Sequence, residues 1–520
     1  MSTRIPFSSQ LGLVDSKRLN SAVRFMWLQL FTYLCLLIVY YLATLTLSYP
    51  AEDSQLLRWS NIIGPAALFV ITFWTAYSII RRHPKSVWTP TVLYLLSTGV
   101  FFGFGPLVYS LGNETTINSL SNNVVTGLTV LELSRTNLLN AVGTISAVIV
   151  IYAMLGINSF KLKNLQASSL LRVSYANLAR TAIFFVVVGG FLRLFVILPY
   201  AFGLTNVVVP GVVNNLGNLV DLGLTIISYT ATKRRGRWKT TLWIVWPIHL
   251  LTVILQFKKS VLVIALLLPV LGSYLASGKL KKLGVWVVAI AIVYNFSQPF
   301  VHYGRDIIKA KTGYVERATL SERFEITKQY FGEGIFLNKV DPYSIEQNSD
   351  NAEFQSGWTR LAYSGPQSFA MREYDAGRPG STLRNAWIVF IPRILWPGKP
   401  VGIGPGRAFY EAVTGHARQA YLGLSVYGDG YWQWGWTGVI VLAGLMGAIF
   451  SVMSKFTLGW LNKGEMIFLP VILIPMQMAL LGTTGFFINK ILAVLPIYVA
   501  YIVAVNFFLM VMPNPAEGTR

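Results

Sequence analysis

Runs of about twenty apolar residues recur along almost the whole chain, each long enough to cross roughly 30 Å of hydrocarbon as a helix. Hydrophobic residues make up 54% of the 520 and charged residues only 12%, about half the charged share of a soluble domain. A transmembrane barrel would instead alternate polar and apolar residues over segments of about ten, and no such segments occur. The expected fold is therefore an all-α polytopic integral membrane protein. About twelve spans can be drawn, at 23–47, 61–80, 91–111, 139–156, 181–202, 215–231, 240–256, 260–277, 283–301, 437–455, 466–484 and 489–511.

The first run is too long for a signal-peptide core and is not expected to be cleaved. Cys35, the single cysteine, falls inside it, which excludes an intrachain disulfide and a cysteine-based metal site. Positive charge alternates between successive loops. Arg81, Arg82 and Lys85, then Lys161, Lys163, Arg172 and Arg180, then Lys233 to Lys239, Lys279 to Lys282, and Lys455 with Lys463 mark one side as cytoplasmic. Both termini then fall inside, and the long polar insert 302–436 falls outside. Lys258 and Lys259 break the pattern, in a short turn on the expected outer side, where either a shallow hairpin or an anionic ligand would account for them. Three regions result: a membrane domain 1–301, an extracytoplasmic loop 302–436 carrying interfacial helices, and a membrane domain 437–520.

The net charge of +22 does not point to nucleic acid. The insert holds 15 Lys/Arg against 13 Asp/Glu, and the remaining excess sits in short loops, where topology and anionic lipid explain it. The insert changes character along its length. Residues 302–357 are charged and helix-compatible, whereas 358–436 are rich in Gly, Pro, Arg and aromatics. Residues 385–391 suit a short interfacial helix, and 402–407 read as a loop.

Ten arginines lie in the insert, and arginine's planar fork suits phosphate and diphosphate. Arg393, Lys399 and Arg407 stand closest together, among prolines that fix the backbone; for Arg393 the competing role is snorkelling beside Trp396. Arg323, in the charged half, is expected to be dispensable. Within the spans, Arg193 and Asp221 lie at similar depth and can pair, either structurally or beside a cavity. His249 reads as a hydrogen-bonded interior histidine. No metal-binding motif, P-loop or nucleophile elbow occurs, so no cofactor and no metal are expected, with Arg and Lys neutralising a leaving group in place of Mg²⁺. Glu373, Asp375, Glu411, His416 and Asp429 are the candidate bases.

Pro392-Arg-Ile-Leu-Trp-Pro-Gly-Lys-Pro400, followed by Leu424-Ser-Val-Tyr-Gly-Asp-Gly-Tyr-Trp-Gln-Trp-Gly-Trp-Thr-Gly438, resembles the oligosaccharide repeat-unit polymerases of bacteria, the O-antigen polymerases of the Wzy type. The likeness covers about fifty residues closely and the span pattern loosely. Gln256-Phe-Lys-Lys-Ser260 and Tyr303-Gly-Arg305 resemble two further elements of that family, with lysines here where arginine is usual, and Trp432-Gln-Trp-Gly-Trp436 stands in place of the usual Phe-Gly.

The resemblance implies a glycosyltransferase-C-like architecture in the bacterial inner membrane, acting on polyprenyl-diphosphate-linked oligosaccharides, with a flippase and a chain-length regulator as possible partners. It implies Arg393 and Arg305 in the catalytic set, to which Glu411 and His416 are added from the candidate bases. Diphosphate and glycan contacts would come from Lys399, Arg407, Arg418, Lys258, Lys259, Arg193, Tyr303, Trp396 and Tyr431, with Tyr427 and Trp434 as further sugar-stacking rings; an interfacial aromatic belt is the competing role for the aromatics. A ligase moving finished glycan, or a lipid-linked glycan transporter, stays open. Arg393→Ala is expected to abolish glycan elongation while the protein remains in the membrane, and Arg323→Ala to be nearly silent; chain-length profiles of the two variants test both expectations.

Overall fold

The computed structural model describes residues 16–48, 53–121, 127–156, 175–205, 209, 213, 216–234, 236–257, 259–312, 318–332, 358–384, 386–391, 396, 405–415, 422–463, 468–483, 491–492, 494–496, 498–499 and 501–503. Every regular element among the described residues is helical. Six helices are long and apolar enough to cross a bilayer: Arg24–Leu47, Gln55–Arg82, Pro90–Leu111, Val130–Met154, Thr181–Ala201 and Ser425–Leu461. A bent pair, Lys281–Tyr294 with Pro299–Arg305, passes the same test as one span broken by 41°; Pro299 lacks the N–H that would continue the helix. Val261–Ser277, Val471–Leu480 and Val494–Val503 are apolar but shorter. The chain is an α-helical membrane protein.

The chain forms two compact units. The first comprises Met1–Ser168, Gln355–Lys463 and Val471–Phe508, and the second Ser169–Phe354, Gly464–Pro470 and Leu509–Arg520. The polar insert is thus shared between them, its charged half in the second unit and its Gly/Pro/aromatic half in the first.

In the first unit, the helix Val130–Gly156 starts well before the apolar run at 139. A reciprocal cap explains this: the Glu132 carboxylate accepts from the Thr129 N–H at 2.7 Å, and Thr129 Oγ1 accepts from the Glu132 N–H at 3.2 Å. The long helix Ser425–Lys463 packs along it. The stretch from Ser425 to Trp436, placed in the insert ahead of the span expected from 437, is helical, and it is interrupted at Trp434 and Gly435, the glycine having a φ of 61° and a ψ of −145°. Only glycine adopts that conformation without strain. At 1.5 Å per residue, the piece from Trp436 to Leu461 extends about 39 Å, enough to cross a bilayer alone. At its far end, Lys85 Nζ donates to the Leu461 carbonyl at 2.9 Å and Lys455 Nζ to the Met154 carbonyl at 2.5 Å. Both cations sit where helix dipoles are negative.

Inside a membrane bundle, polar side chains must find partners within the protein. Asn61 donates to the Val130 carbonyl at 2.9 Å and accepts from Ser134 and Asn137. A second network seats part of the insert. The helix Ser364–Asp375 buries Ser364, Gln367, Ser368, Ala370 and Met371. Gln367 exchanges hydrogen bonds with Asn140 at 2.9 and 3.2 Å and donates to Ser425 Oγ at 2.9 Å. Ser425 holds a left-handed φ of 68°, a strained state for a non-glycine residue, and its Oγ also accepts from the Gly428 N–H, starting the long helix. Two expectations shift here: 386–390 form a 3₁₀ turn, and the helix Pro405–Thr414 takes up the end of the stretch read as a loop.

In the second unit, the helices Leu219–Arg234, Arg237–Ile254 and Lys259–Ser277 pack together. Pro269 leaves the Ala265 carbonyl without its usual helical donor. The Trp246 indole N–H fills that role at 2.9 Å.

Gln367→Leu keeps the side chain's bulk but leaves Asn140 and Ser425 short of partners. It should destabilise the first unit by about 2–4 kcal/mol, read as a lower thermal transition of the purified protein in detergent, and Gln367→Glu, which lacks the amide N–H donors and buries a carboxylate, should lose at least as much.

Candidate functional site

In the second unit, the chain leaves the helix Arg237–Ile254 through Leu255, Gln256 and Phe257, and the next helix begins at Lys259. Phe257 carries a left-handed φ of 51°, strained for a bulky residue. Its ring is fully buried in a cluster with Phe300, Val301, Ile308, Ala318, Ile326 and Tyr330, with Tyr303 packed at the edge. The ring lies on Gly304. A Cβ added there would stand 2.6 Å from Phe257 Cδ1 and 2.8 Å from Cζ, well inside van der Waals contact. Glycine in Tyr303-Gly304-Arg305 is what lets the 256–259 turn reach the helix Leu280–Thr312. The two sequence elements, 45 or so residues apart in the chain, meet at this one contact. Tyr303 stacks at 5.5 Å on Tyr330 of the helix Leu320–Gly332, and Arg305 is half-buried one residue beyond the contact.

Arg323 holds this corner together, which overturns the expectation that it is dispensable. Its side chain is fully buried. Nε donates to the Ala318 carbonyl, one terminal nitrogen to the Leu255 carbonyl and the other to the Ala201 carbonyl, each at 3.0 Å. Ala201 and Leu255 end helices, so these carbonyls lack intrahelical donors and carry the negative pole of the helix dipole. The guanidinium also lies over the Phe202 and Phe257 rings, 5.2 and 5.9 Å from their centroids. Composition hid this role: in Leu-Ser-Glu-Arg-Phe-Glu-Ile-Thr-Lys, Arg323 looks like one charge of a solvated face. The helical spacing of Arg323, Ile326 and Tyr330, all buried, was the available signal.

Deeper in the same unit, Arg193 lies 3.4 Å from Asp221, as its depth allowed, and His249 Nε2 lies 2.7 Å from the other oxygen of that carboxylate. All three are buried. Arg193 begins a π-helical segment, Arg193–Ile197, a wider turn that accommodates the inward side chain. Its charge is met within the bundle, so it is not presented to a substrate.

In the first unit, Tyr427 is fully buried and hydrogen-bonded to Tyr94, so it offers no face to a sugar. Tyr431 is also buried and donates its hydroxyl to Asp375 at 2.9 Å; the residue it presents is a carboxylate. Asp375 in turn accepts from Arg135 at 2.8 Å. Arg372 pairs with Glu132 at 3.2 Å and Arg378 with Glu373 at 2.6 Å. The Arg378 hydrogen bonds and charge hold the Glu373 carboxyl below the usual carboxylate range, which suits it poorly to act as a base. Asp429 is buried and accepts from Thr382 at 2.7 Å. Glu411 stands half-buried on the helix Pro405–Thr414, whose Phe409 and Val413 pack on Trp432 and Ala370. Trp396 stacks on Trp387 at 6.2 Å. Arg135, on a helix outside the insert, escaped notice because a single arginine in an apolar span gives no pattern.

Lys258, Arg393, Lys399, His416 and Arg418 lie outside the described residues, as do the side chains of Lys259 and Arg407. Among the described residues no three His, Cys, Asp or Glu side chains converge as metal ligands. No protein-family model matches the chain, and no curated protein or solved structure matches it.

Arg323→Ala should destabilise the protein by on the order of 3 kcal/mol or more, because it strands carbonyls at two helix ends. Arg323→Lys restores the charge but not the three-way fork and should recover only part of the loss. Thermal unfolding of the two variants in detergent distinguishes this bracing role from a dispensable surface charge, for which both would match the parent.

Proposed function

We propose that this protein is a membrane glycosyltransferase that polymerises lipid-linked oligosaccharide repeat units at the outer leaflet of the bacterial inner membrane. The observation that carries the reading is the seating of the Phe257 ring on Gly304. It draws together the Gln256–Ser260 turn and Tyr303-Gly-Arg305, the two elements that resemble cationic elements of the O-antigen polymerases. Arg305 follows the contact directly in sequence, and Lys259 starts the helix two residues after Phe257.

The reaction needs cationic help at one atom group. The non-reducing-end hydroxyl of an incoming repeat unit attacks the anomeric carbon of the growing chain. The new C–O bond forms as the bond from that carbon to the diphosphate oxygen breaks, and polyprenyl diphosphate leaves with the electron pair. The hydroxyl proton passes to a base. Charge accumulates on the leaving diphosphate, where a preorganised arginine stabilises the transition state more than the ground state. Arg305 and Lys259 are assigned that role, with Tyr303 beside them. Burial of the Phe257 cluster and the Arg323 brace support it, since they hold the backbone on both sides of these cations in place.

The topology that accompanies this reading has twelve spans, both termini cytoplasmic and the insert outside, on a glycosyltransferase-C-like plan. A flippase would supply the substrate and a chain-length regulator would limit the product.

Arg305→Ala should reduce elongation by about 10²-fold or more, with the protein still folded and in the membrane, leaving single repeat units on the surface or on the carrier. Arg305→Lys should retain part of the activity. Long chains stalled on the carrier would indicate a ligase, and an unchanged glycan profile in a strain lacking the gene would return the transporter reading.

A further inference from the structure

In the first unit, the interruption in the Ser425–Lys463 helix exposes two tryptophans, of which Trp436 leads through Tyr431 to a carboxylate and an arginine. Trp434 is 49% exposed and Trp436 36%, flanking Gly435 at the break. Gly435 rests on the Tyr374 ring. The Trp436 ring meets the Tyr431 ring at 5.2 Å, and Tyr374 meets Tyr431 at 5.5 Å, edge to face. Asp375 follows Tyr374 and takes the Tyr431 hydroxyl and Arg135 on its two oxygens. Both charged side chains remain 38% exposed.

We propose that Trp434, Trp436, Asp375 and Arg135 form a binding subsite for an uncharged pyranoside. A sugar ring has an apolar C–H face that packs on an aromatic surface and an equatorial rim of hydroxyls that both donate and accept. Trp434 and Trp436 supply the surface. Asp375 keeps acceptor capacity on each oxygen, since a carboxylate can take about four bonds and each oxygen here has one partner. Arg135 holds donors beyond the one given to Asp375, so the pair can bridge neighbouring hydroxyls. Both groups are already fixed by Tyr431, which lowers the cost of ordering them on binding.

The charge pattern selects the ligand class. Arg135, Arg372 and Arg378 are each paired with a carboxylate, at 2.8, 3.2 and 2.6 Å. The corner therefore has little net positive field to draw in phosphate or a uronic acid. Interfacial anchoring in lipid would account for exposed tryptophans, but not for a half-exposed Asp–Arg pair locked by a buried tyrosine. This inference deepens the polymerase reading by giving the glycan a neutral contact in the first unit; it is tested without lipid-linked substrate, so it stands or falls separately from elongation.

The experiment is saturation-transfer NMR on the full chain in phosphatidylcholine nanodiscs. The probes are methyl β-D-glucopyranoside, methyl α-D-mannopyranoside and N-acetylglucosamine, with methyl phosphate and glucuronic acid as charged comparators. At least one neutral sugar should receive saturation, and the charged probes should receive less. Trp434→Ala and Asp375→Asn should each weaken that binding about tenfold. Trp434→Phe keeps a ring and should retain most of it, and Trp387→Ala, an exposed tryptophan elsewhere in the unit, should leave it unchanged. Asp375→Asn still accepts from Tyr431, so its effect does not depend on the fold surviving a large deletion. Transfer to none of the sugars, equal loss in Trp387→Ala, or a stronger response from methyl phosphate would each overturn the proposal. So would Trp434 emission quenched by brominated lipid and indifferent to every sugar, which marks a membrane anchor.

Discussion

Polar groups buried away from water must find their partners inside the protein, and the residues that meet this demand also organise both units. In the first, Gln367 bonds Asn140 and Ser425 at once, so a helix of the polar insert is seated against two long apolar helices by one amide. In the second, Arg323 closes the carbonyl ends of two helices and carries two aromatic rings on its face. Hydrophobic burial cannot do this alone, because lipid is as apolar as the side chains it would replace. What distinguishes one packing of these helices from another is therefore a small set of hydrogen bonds, each costly to leave unmade.

The same demand changes how the cations are counted. Ten arginines in the insert suggest a surface prepared for phosphate, yet those that the structure describes are not equivalent. Arg323 serves buried carbonyls, whereas Arg372 and Arg378 face carboxylates. Arg193, outside the insert, shares Asp221 with His249. Net charge therefore overstates the charge available to a diphosphate. The backbone of Arg305 is positioned by the glycine that precedes it, on which the Phe257 ring lies.

The apolar runs were legible because lipid imposes length and composition together, and the long helices begin and end close to them. Where a helix extends through polar residues the pattern fails. Val130 to Leu138 is held by a cap that apolar counting ignores. The stretch from Ser425 to Trp436, dense in glycine and tryptophan, reads as part of the insert, yet it is helical because its start is fixed by Ser425 and its end rides on a neighbouring helix. Tyr303-Gly-Arg305 and the 256–259 turn could each be singled out from sequence, but their meeting could not, since it depends on Phe257 turning inward at a positive φ. Asp375 was one of five candidate bases, four carboxylates and a histidine, with nothing to rank them. Rank came only from what each one touches.

On the proposed reading, two electrostatic tasks that would conflict in one place are kept apart. A leaving diphosphate needs uncompensated cations, and those cations would hold an anionic product as firmly as they stabilise its formation. Sugar hydroxyls instead need acceptors and donors in balance, with an apolar face beside them. Gly304 and Gly435 shape their surroundings in different ways. The first lets a ring bring a turn onto a helix, and the second breaks a helix between two exposed tryptophans. In each case the missing side chain sets the position of its neighbours. A side chain at either glycine would therefore disturb the local packing and the neighbours it positions together.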